Sequence, residues 1–110
     1  PQEVLSRISS LVRASKNAAG TEMELVVAAN INLSTDGMSY LALHCERNAV
    51  TLLENPMAAR HLPEQGEACK EFNQPLSIGG DYQFLEDFSQ GIKNRAGTVL
   101  TPNAGRIGGV

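Results

Sequence analysis

Residues 22–33 read EMELVVAANINL, and apolar side chains recur there at every second position, with Val26 as an extra one. Side chains of a β-strand point alternately to opposite faces, so a period of two indicates a strand with one buried face. A helix would spread the same apolar residues around its whole circumference. The pattern therefore predicts a long strand over residues 22–33.

The next stretch, residues 39–47, alternates in the same way, with Cys45 on its apolar side. Residues 35–37 read Thr-Asp-Gly and are typical of a tight turn, because glycine tolerates positive φ. The two stretches and the turn predict an antiparallel β-hairpin. Residues 49–54 predict a third strand beside it.

Helices are predicted on both sides of these strands. Residues 2–17 place their apolar side chains on one face at the helical period, and residues 82–94 repeat this pattern after a capping aspartate. Shorter helices are predicted over about 55–61 and 64–73, and short strands over 76–78 and 98–100.

This order of elements predicts an α+β fold, in which an N-terminal helix precedes an antiparallel hairpin or meander and helices pack on one face of the sheet. The strands over 22–33 and 98–100 are the predicted sheet edges. No repeat and no linker divides the chain, so residues 1–110 are predicted to form one domain. Residues 102–110 are rich in glycine and predict an irregular tail.

Composition excludes two classes of partner. Nine basic and twelve acidic residues give a net charge of −3, and the basic residues are scattered along the chain. Nucleic-acid binding needs a concentrated positive surface, so no nucleic-acid partner is expected. No apolar run is long enough to span a bilayer, so no membrane span is predicted either.

The two cysteines, Cys45 and Cys69, are candidates for a disulfide that ties the middle of the chain to the sheet. Such a bridge closes a loop of about 25 residues and stabilises by on the order of 3 kcal/mol. The alternative is two separate buried thiols that act as small apolar side chains. We favour the bridge. Together with the start at Pro1 rather than at methionine, it gives a slight preference for a periplasmic or secreted protein.

No catalytic, metal or cofactor site is predicted. His44 adjoins Cys45, but neighbours on a strand point to opposite faces and cannot form a nucleophile–base pair. His61 could reach Cys69 only if the chain between them folds back. The four histidines and cysteines lack the spacing that places two ligands on one metal ion.

By exclusion, the sequence favours a non-enzymatic protein–protein interaction module, of the kind found among exported bacterial accessory, immunity or secretion-related proteins. Its predicted partner is another protein or a second copy, bound through a sheet edge or through a strand face formed by Tyr40, Ala42 and His44. The alternative is a small enzyme with a cysteine/histidine-based site, using Cys69 or His61.

Overall fold

The computed structural model of the chain describes residues 2–29, 33–57, 62–82 and 84–103. Helices and strands alternate in the described residues, and a 3₁₀ turn over Cys69–Glu71 extends the third helix. The elements are α1 Gln2–Ala19, β1 Val26–Ala28, α2 Thr35–Arg47, β2 Leu52–Glu54, α3 Leu62–Ala68, β3 Leu76–Ile78, α4 Leu85–Lys93 and β4 Val99–Leu100.

The four strands form one sheet in the order β1-β2-β3-β4, and every pair of neighbours is parallel. The predicted antiparallel hairpin or meander, and with it the α+β class, is therefore wrong. Parallel neighbours need a crossover between them, and a helix supplies each crossover here. The strands predicted to be edges, β1 and β4, do lie at the two edges of the sheet.

The main error concerns α2, which occupies residues 35–47 where a turn and a second strand were predicted. Ser34 caps this helix, because its side-chain oxygen accepts a hydrogen bond of 3.1 Å from the Gly37 amide. Residues 35–37 are thus the first turn of a helix and not a hairpin turn. The buried side chains of α2 recur at the helical spacing i, i+3, i+4, i+7; they are Met38, Leu41, Ala42 and Cys45.

The predicted strand over 22–33 shrinks to β1, residues 26–28. The Val27 side chain packs against the main core cluster, whereas Val26 and Ala28 are exposed. The alternation of burial is real but runs only over residues 25–29, and three of these form the strand. Residues 30–32 lie outside the described part of the chain.

Most of the remaining elements lie close to their predicted positions. α1, β2, β3, α4 and β4 each overlap a predicted helix or strand of the same type. The predicted helix over 55–61 falls largely on residues 58–61, which lie outside the described residues, as does the tail beyond Asn103. Asn55 itself is not helical, because its φ of 49° is left-handed.

All four helices pack on one face of the sheet. Leu53 of β2 and Leu76 of β3 are register partners, and both are buried in one cluster with side chains of α1, α2 and α3. Ile78 lies two residues further along β3 and so points to the same face. It is buried in a second cluster, against which Phe88 of α4 packs.

The opposite face of the sheet is not covered by any helix of the described residues. Val26 and Val99 on this face are 48% and 40% exposed. Sheets with helices on both faces reverse their strand order at a switch point, whereas consecutive units of a βα-barrel keep the sequence order and place every helix outside. The chain therefore has the α/β architecture of a barrel segment, and the open face corresponds to a barrel interior.

Candidate functional site

Two polar side chains stand out in the sheet. Of all the strand residues in the described part of the chain, only Glu54 and Ser77 are polar. Glu54 is the last residue of β2, and Ser77 is its register partner on β3. In parallel α/β folds, functional side chains gather where the strands end at their carboxyl side, which is where Glu54 lies.

Glu54 and Ser77 share the open face of the sheet. Register partners on neighbouring strands point to the same side, and Leu53 beside Glu54 points into the helix-covered core. Neighbouring strands lie about 4.8 Å apart, so the two side chains are adjacent. Together they form a small polar patch on an otherwise apolar surface.

The two side chains differ in their surroundings. Glu54 is half-buried. Ser77 is 0% exposed, and its hydroxyl finds no hydrogen-bond partner among the described residues. A buried hydroxyl without a partner costs about 1–3 kcal/mol. A ligand oxygen next to Glu54 would reach this hydroxyl only after the side chains that cover Ser77 move aside.

The loops after β2 and β3 are tied together beside this patch. The Asn55 amide donates a hydrogen bond of 3.1 Å to the Ser77 carbonyl, and the Asn55 side-chain oxygen accepts one of 3.1 Å from the Gly80 amide. A Cβ on Gly80 would lie 2.6 Å from the Asn55 side-chain nitrogen, so a side chain there would displace that of Asn55. Gly79 has a φ of 116°, which other residues rarely adopt. These contacts fix the backbone that follows Glu54.

The residues predicted to form a partner-binding face do not share a strand face. Tyr40, Ala42 and His44 all lie on α2, where the helical turn separates Ala42 from the other two. Ala42 is fully buried, so it is not available to a partner. Tyr40 and His44 are one turn apart with ring centroids at 4.6 Å, and a role for these two in partner binding stays a prediction.

The predicted disulfide is also wrong, because Cys45 and Cys69 are both free. Cys45 is buried on α2, and the Cys69 thiol donates a hydrogen bond of 3.4 Å to the Ala96 carbonyl. Burial raises the pKa of each thiol to about 11. Thiolates are therefore scarce at neutral pH, which argues against a cysteine nucleophile. His61, the other residue of that alternative, lies outside the described residues.

Sequence reasoning missed both Glu54 and Ser77. One feature of the sequence could have pointed to Glu54. A carboxylate directly follows the largely apolar stretch Val50-Thr51-Leu52-Leu53, where a strand was predicted. That signal carries weight only if the sheet is parallel, since only then do the carboxyl ends of the strands meet at one edge. Ser77 gave no signal, because an isolated serine in a short strand is ordinary.

Several solved structures share this fold. A racemase from Streptomyces coelicolor A3(2) with bound magnesium superposes with a TM-score of 0.86 at 23% identity, over 96% of this chain and 31% of the racemase. A protein from Labrenzia alexandrii DFL-11, provisionally assigned as a mandelate racemase/muconate lactonizing enzyme, gives 0.87 at 23%, over 99% and 28%. The L-talarate dehydratase from Polaromonas sp. JS666, complexed with Mg and L-glucarate, gives 0.80 at 23%, over 90% and 26%.

This chain has the fold of one part of such proteins. It spans about a quarter to a third of the length of these structures. No protein family matches the chain by sequence, and no curated protein matches it either.

These findings overturn the prediction of a non-enzymatic interaction module. The prediction depended on an antiparallel hairpin with a free polar face, and the parallel sheet has no such hairpin. The proteins that share the fold are racemases and dehydratases. One exclusion stands: within residues 2–29, 33–57, 62–82 and 84–103, no helix has the length and apolar character to cross a membrane.

Proposed function

We propose that the chain forms part of the active-site wall of a βα-barrel enzyme that acts on a small hydroxylated carboxylic acid. The observation that carries this proposal is the Glu54–Ser77 pair, the sole polar pair on the open face of the described strands. Barrel enzymes place their chemistry at the carboxyl ends of the strands, where Glu54 lies. The racemases and dehydratases that share the fold supply the class of reaction.

Glu54 is the candidate for proton transfer. Racemisation and dehydration of a hydroxy acid both begin with removal of the proton on the carbon next to the carboxylate, a step that needs a positioned base. A half-buried carboxylate at the end of a rigid strand is suited to this role. The proton passes from that carbon to a Glu54 oxygen and returns to carbon or leaves with the departing hydroxyl.

Ser77 is the candidate for substrate positioning. Its hydroxyl, which has no hydrogen-bond partner among the described residues, would donate to one substrate oxygen next to the Glu54 carboxylate once the side chains that cover it move aside. The apolar neighbours of the pair on the same face would exclude water from the contact only once the open face is enclosed. The hydrogen bond between Asn55 and Gly80 holds the adjoining loops in place.

Magnesium accompanies two of the three structures described above, but the described residues here do not fit such a site. Mg²⁺ prefers an octahedral set of oxygens, usually with more than one carboxylate or phosphate among them. Glu54 is the sole carboxylate in the described strands, and the described residues contain no group of three or more metal-ligating side chains. The proposal therefore assigns no step to a metal ion.

The test follows hydrogen exchange at the carbon next to a carboxylate. We expect the chain to catalyse exchange of that proton of L-glucarate in D₂O, observed as loss of its NMR signal. Positioned acid–base groups contribute about 10²–10⁴-fold, so Glu54→Gln should lower the exchange rate at least about 100-fold. Glu64→Gln, at an exposed site on α3, is the matched control and should exchange at the wild-type rate.

Two results would contradict the proposal. One is a wild-type chain that exchanges no proton of this substrate. The other is a Glu54→Gln variant that matches Glu64→Gln in rate. Circular dichroism of both variants verifies that the comparison is between folded chains.

Four strands do not close a barrel, so the open face of the described strands is one part of such an interior. β1 and β4 each pair with one neighbour in the described residues, so each has one free edge. Further strands on these edges would enclose the open face that carries Glu54 and Ser77.

A further inference from the structure

The structure assigns a phosphate-binding site to the cleft between α3 and the end of α4. The ligand is a phosphate group, carried either by inorganic phosphate or by a small phosphate ester. The cleft lies beside the amino ends of β3 and β4, whereas Glu54 ends β2 at its carboxyl side. This site is therefore separate from the proposed reaction, and either one could fail without the other.

The cleft is positively charged and large enough for a small ligand. Its volume is about 500 Å³, within the usual range of ligand pockets. Lys70, Lys93 and Arg95 line it together with one carboxylate, Glu67, so the charged side chains of its described lining give a net charge of +2. The chain as a whole carries −3. A local positive potential on an acidic chain favours a small anion.

Two of the three cations have no partner of their own. The Lys93 and Arg95 side chains form no hydrogen bond or ion pair with any described residue. Lys70 pairs with Glu67 at 3.0 Å, but the two side chains are 71% and 75% exposed, and such a pair contributes little stability. All three cations are therefore available to an anion.

The end of α4 does not need these cations as hydrogen-bond donors. Basic side chains near the end of a helix often bond to its last carbonyls. Here the carbonyls of Gln90, Gly91 and Ile92 already accept hydrogen bonds of 2.9–3.1 Å from the backbone amides of residues 94–96. Capping of the helix therefore does not account for the charge in the cleft.

Arg95 occupies a position where glycine is preferred. Its amide bonds to the Ile92 carbonyl and the Ala96 amide bonds to the Gly91 carbonyl, which is the Schellman arrangement at the end of a helix. The residue at this position is left-handed, and the φ of Arg95 is 51°. Glycine adopts this backbone freely, whereas a residue with a Cβ is strained. An arginine at such a position indicates a role for its side chain beyond ending the helix.

Close packing fixes the two walls of the cleft. A Cβ on Gly66 would overlap the Asn94 carbonyl oxygen, so α3 and the end of α4 approach each other there through their backbones. The Ala96 carbonyl accepts hydrogen bonds from the Gln65 side chain and from the Cys69 thiol, the latter at 3.4 Å. A site held in this way binds with a smaller loss of conformational entropy than a loose one.

A smaller cavity of about 210 Å³ adjoins the cleft, and Cys69 and Arg95 line both. Phe72 and Leu76 are among its other lining residues. The phosphate group of an ester would meet the cations, and its organic part would lie in this second cavity. The guanidinium of Arg95 suits the phosphate, because its planar fork can donate two parallel hydrogen bonds to phosphate oxygens.

NMR titration tests the site with two probes, inorganic phosphate and phenyl phosphate. We expect both to bind to the wild-type chain and to shift the amide signals of Lys70, Arg95 and Ala96. Tighter binding of phenyl phosphate would identify an ester as the ligand, and equal binding would identify free phosphate. No binding of either probe, or shifts confined to residues outside the cleft, would overturn the site.

Arg95→Gly separates a role in binding from a role in the fold. Its melting temperature should stay the same or rise, because glycine relieves the left-handed backbone, while its affinity for both probes should fall at least about 10-fold. Lys93→Gln should weaken binding in the same direction. Lys16→Gln is the matched control, since it removes a lysine from the last turn of α1, and should bind as the wild type does.

An Arg95→Gly variant that binds both probes with wild-type affinity would contradict the assignment, as would a Lys16→Gln variant that binds as weakly as Lys93→Gln. If circular dichroism finds Arg95→Gly unfolded, Arg95→Gln takes its place in the same titration.

Discussion

The Gly80 amide donates a hydrogen bond of 3.1 Å to the side-chain oxygen of Asn55, and this bond links the loops that follow two neighbouring strands. Asn55 is the residue directly after Glu54. Its left-handed backbone, with φ at 49°, turns the chain away from the sheet at that point. The position of the Glu54 carboxylate therefore depends on the residue that follows it.

Replacement of Asn55 should destabilise the chain in two separable ways. Asn55→Ala loses the hydrogen bond and also the polar side chain that lets asparagine adopt left-handed backbone, so we expect the free energy of unfolding to fall by about 2–3 kcal/mol. Asn55→Gly loses only the bond and should cost about 1 kcal/mol. Urea denaturation measures both, with Asn17→Ala on the exposed side of α1 as the control. Equal costs for Asn55→Ala and Asn55→Gly would contradict the strained backbone.

Ser77→Ala should separate stability from binding. The variant removes a buried hydroxyl without a described partner, so the free energy of unfolding should stay the same or rise by up to about 1 kcal/mol. Binding of L-glucarate, followed by calorimetry, should weaken because the substrate loses a hydrogen-bond donor. A loss of stability of more than about 1 kcal/mol would mean that the hydroxyl has a structural partner.

Tyr82→Phe should be nearly neutral, although Tyr82 is almost wholly buried. Its hydroxyl has no hydrogen-bond partner among the described residues, and its ring contacts Phe88 edge to face at 5.1 Å, a contact that phenylalanine keeps. We expect a change in the free energy of unfolding of less than about 1 kcal/mol. Leu53→Ala, which opens a cavity at a fully buried site, should cost about 2–5 kcal/mol in the same thermal or urea experiment. A loss of more than about 1 kcal/mol in Tyr82→Phe would show that the tyrosine hydroxyl has a hydrogen-bond partner.

Alkaline pH should destabilise the chain through its buried thiols. Burial raises the pKa of Cys45 from 9.0 to about 11 in the folded state. The folded state thus holds its proton more tightly than the unfolded state, and the resulting stability is complete below pH 9 and is lost as pH rises towards about 11. Melting temperatures should fall over this range, and Cys45→Ala should reduce the slope. If the melting temperature of Cys45→Ala fell with pH as steeply as that of the wild type, the raised pKa of the Cys45 thiol would be contradicted.

The sequence predicted the outer elements of the fold because their patterns depend on local packing. Apolar side chains recur along α1 with the helical period of 3.6 residues, and those of α4 follow the same period. Each helix packs on the sheet through one face only, so its apolar residues follow the helical period in the sequence. The short strands at 76–78 and 99–100 were also located correctly, because turn residues border them.

The direction of the strands could not be read in the same way. Residues 39–47 satisfy a period of two, yet the same residues with Met38 satisfy the helical period that the structure adopts. The Ser34 cap, which the sequence analysis did not consider, decides between them. With residues 39–47 as a strand, the predicted sheet is antiparallel. Such a sheet gives no reason to place Glu54 beside Ser77. Glu54 and Ser77 are brought together by the register of β2 and β3, so no fixed spacing in the sequence marks them as a pair.

The proposed site depends on the placement of Glu54 beside Ser77 in a parallel sheet. Scalar couplings across backbone hydrogen bonds, measured by NMR, test this placement directly. The structure predicts couplings from the Leu53 amide nitrogen to the Pro75 carbonyl carbon and from the Asn55 nitrogen to the Ser77 carbonyl carbon, since these pairs are bonded at 3.0 and 3.1 Å. Couplings between residues 22–33 and 39–47 in their place would restore the antiparallel hairpin and contradict the site.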